Sequence, residues 1–343
     1  MSENIRIAID AMGGDNAPSA IIDGSLQALK IRSDLELIFV GDEKRIREEL
    51  KKYSAESENL RIVHASETID MSEHPVNAIR SKKDSSLVTG LKMVKNKEAD
   101  CFMSAGNSGA VLVGGQLIVG RIRGISRPPF ASLIPTEKGV SLLLDCGANV
   151  DARPEHLLSF ARIGSIYMEN VMGVANPSVG IVNIGAEEEK GNALVKDTYP
   201  LLKQDGVIRF IGSVEARDIP SGGCDVLVCE GFTGNVILKM YEGTASMLLK
   251  NIKKSLMSSL TGKIGGLLIK PSLKGLLTTF DATQYGGAPL LGLNGLVVKM
   301  HGSSKAKEVK NTVIQCADFT ERKINDKIQA YAQTLQGNAN NNT

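Results

Sequence analysis

The residues of this chain whose types and spacing could do chemistry sit in short loops after apolar runs. The loops are Asp10-Ala-Met-Gly-Gly-Asp15, Ser104-Ala-Gly-Asn-Ser-Gly109, Asp145-Cys-Gly-Ala-Asn149, Asn183–Gly191, Glu230–Val236 and His301-Gly-Ser-Ser304. Loops of this kind leave backbone N–H groups near a helix start, the usual seat of a phosphate or other anion. By position the candidates are the glycines Gly13, Gly14, Gly106 and Gly109, the carboxylates Asp10, Asp15, Asp145, Glu187 and Glu230, and the amides Asn107, Asn149, Asn183 and Asn235. Lys190 and His301 complete the set. In the first loop two carboxylates repel a phosphate unless a cation or a proton intervenes. A plainer reading of the glycines is that they only let the chain turn.

Signals for a covalent nucleophile are poor. The chain has no G-x-S-x-G elbow, no phosphate loop with GK[ST], and no dinucleotide G-x-G-x-x-G after its first apolar run. Its four histidines show no metal spacing, and the five cysteines are odd in number with no CxxC. Buried free thiols are therefore expected, and neither a metal nor a cofactor. His301 either orients or protonates a substrate or is a hydrogen-bonded loop histidine. Such a site suits a reaction whose attacking group belongs to the substrate, as when phosphate attacks an activated acyl group. That chemistry needs positioned donors more than a covalent catalyst.

The elements that must position these loops alternate in type. Apolar strands are read at Ile5–Asp10, Leu35–Gly41, Leu60–His64, Asp100–Ser104, Val179–Ile184, Val207–Gly212, Asp225–Cys229 and Gly295–Met300. Helices are read at Ser19–Lys30, Asp42–Tyr53, Leu87–Asn96, Ala110–Val119 and Pro154–Met172. Pro128–Ile134 and Val140–Leu144 read as an antiparallel pair, and Ser66–Ser86 as a polar connection that crosses over or covers a site. The alternation implies right-handed βαβ crossovers and a three-layer α/β/α fold with a mostly parallel, Rossmann-like sheet. Ligands then bind beyond the carboxyl ends of the strands, where every loop named above falls. No linker divides the chain, so one α/β unit is expected over residues 1–335, with a disordered tail over 336–343.

Hydrophobic residues make up 42% of the 343-residue chain and charged ones 23%, as in an ordinary globular protein. Lys and Arg number 40 against 38 Asp and Glu, a balance that argues against a dedicated nucleic-acid binder. The chain enters its first strand directly, so no signal peptide is expected, and no uncharged apolar run is long enough to span a membrane. Gly243–Phe280 contains six lysines and no acidic residue. Within it Leu249, Ile252, Leu256, Leu260, Ile264, Leu267 and Leu268 recur at spacings of three and four. Gly262, Gly265, Gly266 and Pro271 are expected to form the tip of a helical hairpin, about residues 245–280. A basic amphipathic hairpin lies on an anionic bilayer surface, packs on its own core, or makes a dimer contact.

Taken together, Ile9-Asp-Ala-Met-Gly-Gly-Asp15, Ser104–Ala110, Asp145–Asn149, Asn183–Gly191, Gly234-Asn-Val236, Tyr285–Gly295 and His301–Ser304 resemble the PlsX family, the fatty acyl-ACP:phosphate acyltransferases of bacterial phospholipid synthesis. The resemblance covers nearly the whole chain. It implies transfer of a long-chain acyl group from acyl carrier protein to inorganic phosphate, giving an acyl phosphate that a membrane glycerol-3-phosphate acyltransferase consumes. It further implies a homodimer with a phosphotransacetylase and isocitrate dehydrogenase-like fold, cytoplasmic and peripherally bound to an anionic membrane. On this reading Leu256, Leu260, Ile264, Leu267 and Leu268 meet the membrane. Amides around Gly13, Gly14, Gly106 and Gly109, with Lys190, hold phosphate, and Asn183 and Asn235 help bind phosphate or the thioester oxyanion. Asp10 or Asp145 takes the phosphate proton, while Asp15, Asn107, Asn149, Glu187 and His301 line the substrate site. Arg80, Lys82, Lys83, Arg121 and Arg123 either meet the acidic carrier or form a solvated surface.

Two other readings stay open. A sugar-kinase or actin-class phosphotransferase also opens on an Asp-Gly phosphate loop, although no Ser or Thr directly follows these glycines and no adenosine motif is evident. A non-catalytic scaffold of lipid synthesis at the membrane surface is the second.

Overall fold

The computed structural model describes residues 4–55, 57–279 and 282–340. In chain order the first elements are β1 (Ile5–Asp10), α1 (Ser19–Leu29), β2 (Leu35–Gly41), α2 (Glu43–Lys51), β3 (Leu60–His64), α3 (Pro75–Ser81), α4 (Ser86–Lys95), β4 (Cys101–Ser104) and α5 (Ser108–Gly114). There follow β5 (Ala131–Thr136), β6 (Gly139–Leu144), α6 (Pro154–Asn170), β7 (Ser178–Asn183), α7 (Ala193–Gln204), β8 (Arg209–Glu215) and β9 (Val226–Val228). The chain continues with α8 (Gly231–Met257), α9 (Leu260–Thr279), β10 (Ala288–Pro289), β11 (Leu296–Lys299), α10 (Ala306–Glu321) and α11 (Ile324–Asn340). These elements fall into two compact units. Unit 1 takes Met1–Ser132, Ile166–Ala175 and Tyr285–Thr343, and unit 2 takes Leu133–Ser165 and Asn176–Gln284.

Unit 1 is built on a six-stranded sheet of order β10-β11-β4-β1-β2-β3, parallel except for β10. Ile7, Ala8 and Ile9 of the central β1 are fully buried, as are Leu37–Val40 of β2. Strands covered on both faces must be apolar throughout, which is the pattern the sequence shows. Each of the larger of these side chains, Ile, Leu, Val or Phe, contributes about 1.5–3 kcal/mol on burial. The chain runs outward from β1 to β2 and β3, then returns to place β4 on the other side of β1. Right-handed crossovers therefore put α1 and α4 on opposite faces, giving three layers. α1 packs on α10, and α4 packs on β1, β2 and β4.

Unit 2 carries a five-stranded sheet of order β5-β6-β9-β7-β8. β6, β9, β7 and β8 run parallel, so the loops after β6, β9 and β7 emerge along one carboxyl edge. β5 lies beside β6, joined to it by a tight turn. The fold class is thus the α/β class expected.

Several local expectations shift for identifiable reasons. Ser66–Ser86 contains a short helix, α3, started by Pro75 at its first turn, where a missing N–H costs nothing. β8 begins at Arg209 rather than Val207, because the Asp205 carboxylate accepts from the N–H groups of Val207 (2.9 Å) and Ile208 (3.2 Å) and holds that stretch as a turn. The α8–α9 break falls at Ser258 and Ser259, not at the glycines. Ser259 Oγ accepts from Gly262 N (2.9 Å) as an N-terminal cap, and Gly262, Gly265, Gly266 and Pro271 lie inside α9. Phe280 and residues 341–343, parts of the expected hairpin and tail, lie outside the described residues, while α11 runs on through Asn340. No described helix is long and apolar enough to cross a membrane.

Candidate active site

In unit 1 the strand order reverses between β1 and β4, the position where open parallel sheets bind ligands. Asp10 ends β1 and Ser104 ends β4. Ser104 Oγ donates to Asp10 Oδ2 (2.7 Å) and accepts from Gly106 N (2.9 Å), and Asp10 Oδ1 accepts from Met12 N (3.2 Å). The buried carboxylate therefore ties the two loops together. These donors offset the negative charge that the sequence sets against a phosphate here. Gly13 is required by this closeness, since a Cβ there would lie 2.4 Å from Asp10 Oδ2 and 2.8 Å from Gly106 N. Gly14, at φ +96°, takes a backbone conformation that side chains disfavour.

Asp15 is exposed, and its N–H donates to Gly302 O (2.8 Å), joining the first loop to the one after β11. Asn107 caps α5 by accepting from Ala110 N (3.0 Å), and its Nδ2 donates to the carbonyls of Asp70, Met71 and Glu73. Gly109 packs against Pro75. His301 Nδ1 accepts from Ser303 N (3.2 Å) and lies 2.8 Å from Ser303 Oγ, a local turn. Of the basic surface residues, Lys82 is engaged by Glu73 and Thr68 O, and Arg121 by Ser126 O. Ser104 and Lys299 were missed by sequence reasoning. Lys299 ends the apolar run of β11 yet is buried, and its Nζ donates to Met300 O. A charged residue closing a fully apolar strand was the available signal.

In unit 2 Asp145 closes β6 and is fully buried. Its oxygens accept from the backbone N–H of Gly147 (3.2 Å), Ala148 (3.1 Å) and Asn149 (2.6 Å), and from Asn149 Nδ2 (2.8 Å). The start of α8 presses on this loop. Gly231 N donates to Asn149 O (2.8 Å), and a Cβ at Gly234 would lie 1.8 Å from Asp145 O. Glu230 caps α8 through Thr233 N (3.0 Å) and Thr233 Oγ1 (2.5 Å). Asn235 is exposed one turn into the helix, beside Gly147.

Asn183 ends β7 and organises the loop that follows. Its Nδ2 donates to Lys190 O (3.0 Å) and Ser213 Oγ (3.0 Å), and its Oδ1 accepts from Ile184 N (2.8 Å). Lys190 Nζ lies 2.8 Å from Glu187 Oε2, both half-exposed. The hydrogen bond to Glu187 raises the Lys190 pKa, and the ammonium lowers that of Glu187. Lys190 thus stays a cation and keeps further N–H donors for a second anion. Asp145, Asn149 and Asn235 are brought together, and Asn183, Glu187 and Lys190 form a second group on the same strand edge.

A family model described as "Fatty acid synthesis protein" matches residues 5–327. The phosphate acyltransferase of Clostridium novyi (strain NT) is 47% identical over 329 residues, covering 96% of this chain and 99% of the relative. That of Alkaliphilus oremlandii (strain OhILAs) is 49% identical over 331 residues, covering 96% and 98%. The chain belongs to the PlsX family of phosphate acyltransferases. As a member of that family it is an acyltransferase that moves acyl groups to or from phosphate. Its fold is similar to a phosphotransacetylase from Streptococcus pyogenes, with TM-score 0.61 at 18% identity over 93% of this chain and 95% of that one. It is also similar to the EutD phosphotransacetylase from Staphylococcus aureus, with TM-score 0.58 at 16% identity over 92% and 94%.

In this acyltransferase the carboxyl edge of unit 2 offers hydrogen-bond donors and the Lys190 ammonium. Two thiols, Cys146 and Cys229, stand at that edge and both are buried; burial pushes the pKa of Cys229 well up, and that of Cys224 up to about 12. Neither Cys229 nor Cys224 is a thiolate near neutral pH, so neither is a ready nucleophile. Among the described residues no three His, Cys, Asp or Glu side chains group as a metal site requires. The arrangement can hold an anion and stabilise developing negative charge with fixed donors.

Proposed function

We propose that the chain transfers a long-chain acyl group from the thioester of acyl carrier protein to inorganic phosphate, forming acyl phosphate for glycerol-3-phosphate acylation in phospholipid synthesis. A phosphate oxygen attacks the thioester carbonyl carbon, the new C–O bond forms and the C–S bond breaks. The departing sulfur takes up a proton, and the attacking phosphate gives one up. Lys190 holds the phosphate anion and Asn235 donates to the oxyanion or the phosphate. The observation that carries the reading is the half-exposed Lys190 ammonium, poised by Glu187 at a strand edge whose thiols, Cys146 and Cys229, are buried. Family membership supplies the acyl and phosphate chemistry. The lysine-rich hairpin and its exposed leucines support delivery of the product at an anionic membrane, and we place a homodimer in the same reading.

Phosphate-dependent loss of acyl carrier protein thioester, with acyl phosphate trapped as hydroxamate, tests it. Lys190→Ala and Asn235→Ala are each expected to lower kcat/KM by about 100-fold or more, the usual cost of removing one transition-state donor. If both variants form acyl phosphate at the wild-type rate, the site assignment falls. Thioester that survives with phosphate present removes the reading in favour of a scaffold.

A further inference from the structure

We infer that the acyl chain of the substrate lies along helix α8, in an apolar groove whose lining starts at Val236, the residue after Asn235. The inference rests on the acyl-transfer reading above and extends it to the seat of the fatty tail. Within unit 2 this groove measures about 600 Å³, inside the range of about 300–1,000 Å³ that small-molecule sites occupy. One wall is the α8 face through Val236, Met240, Leu248 and Ile252, and the other is Ile219 and Pro220 from the turn after β8. Tyr241 and Thr244 are its polar lining residues, and Tyr241 turns its hydroxyl away to donate to Pro135 O (2.5 Å), leaving the ring as a side wall.

Continuity and length select the occupant. Val236, at one end of the lining, directly follows Asn235 on the same helical turn, so the groove starts within one residue of the group proposed to meet the reacting carbonyl. From Val236 to Ile252 the helix rises roughly 24 Å, a length that a long acyl chain spans and an acetyl group does not. Val236, Met240, Leu248 and Ile252 are 46–70% exposed, apolar surface whose cover by methylene groups is favourable. A polar or charged ligand gains little from such a lining.

The groove acts as a ruler, which gives the test. Ala245 lines it roughly 13 Å along the helix from Val236. Ala245→Trp should leave kcat/KM for butanoyl carrier protein within about twofold and lower it for the hexadecanoyl donor by about tenfold or more. Ile252→Trp, at the far end, should affect only the longest chains. Should Ala245→Trp misfold by circular dichroism, the unmodified enzyme still decides. Its kcat/KM should climb with donor length, by up to about tenfold for each two methylenes, until the groove is filled; a flat series overturns the inference. Equal loss at every chain length, with a changed sedimentation coefficient, would make the groove a self-association seam and overturn it too. No turnover with any donor removes the acyl-transfer reading itself, and this inference with it.

Discussion

Gly234 shows how far single residues set this site. A Cβ there would lie 1.8 Å from Asp145 O and 3.0 Å from Cys229 Sγ, so any side chain forces α8 off the loop after β6. We predict that Gly234→Ala destabilises the protein at the upper end of about 1–3 kcal/mol and lowers activity as well, because Asn235 moves with the helix. Thermal denaturation beside the hydroxamate assay reads both; an unchanged midpoint contradicts the packing account. The polar residues obey the same logic. Asp10, Asn107, Asp145 and Asn183 all make hydrogen bonds that hold loops in shape, whereas Lys190 and Asn235 present exposed groups. Residue type marks a strand-end Asp or Asn as notable in either role, since both need a short polar side chain able to bond backbone amides.

Between elements, Arg32 joins the end of α1 to β2 and α10. Its guanidinium lies 2.7 Å from Asp34, 3.3 Å from Asp318 and 2.6 Å from Glu321. Arg32→Met should cost about 1 kcal/mol, since the acid partners are about half exposed and the pairs are screened in proportion. The Arg32 hydrogen bond lowers the Asp34 pKa from 3.8. That contribution is therefore present above about pH 4 and is lost as pH falls through the folded value. Burial raises Asp318 in spite of the nearby Arg32, so its ionisation opposes folding as pH rises past the same range. The gap in urea midpoint between wild type and Arg32→Met at neutral pH should close at acid pH; a gap that stays constant would contradict the linkage. At the hairpin, Leu260, Ile264, Leu267 and Leu268 are 62–79% exposed, the surface proposed for the membrane. Leu260→Glu or Ile264→Glu should release the protein from anionic vesicles and leave turnover on carrier protein unchanged. Undiminished vesicle binding sinks that proposal.

Across the whole molecule, all five cysteines are buried thiols, one or more in each unit. A thiol reagent should accordingly label the folded protein slowly and react with five thiols once it is denatured, and reductant should not move the melting temperature. Fast labelling of the native state would contradict the burial. The alternation of apolar strands with helices made the α/β class and the carboxyl-edge position of the loops legible from sequence, because side-chain periodicity and right-handed crossovers are local rules. The motifs, in order, were enough to mark the family. Sequence could not tell which polar groups at a strand end hold loops and which face outward. Ser104 and Asp10 are far apart in the chain, and only the pairing of β1 with β4 brings them to 2.7 Å. The same holds for the hairpin break, decided by a serine cap rather than by glycine content, and for the groove along α8. Its far wall comes from the turn after β8, so it exists only once the two segments pack. Local pattern determined the elements and the edge where the loops gather. Long-range packing decided which of their atoms are left to act.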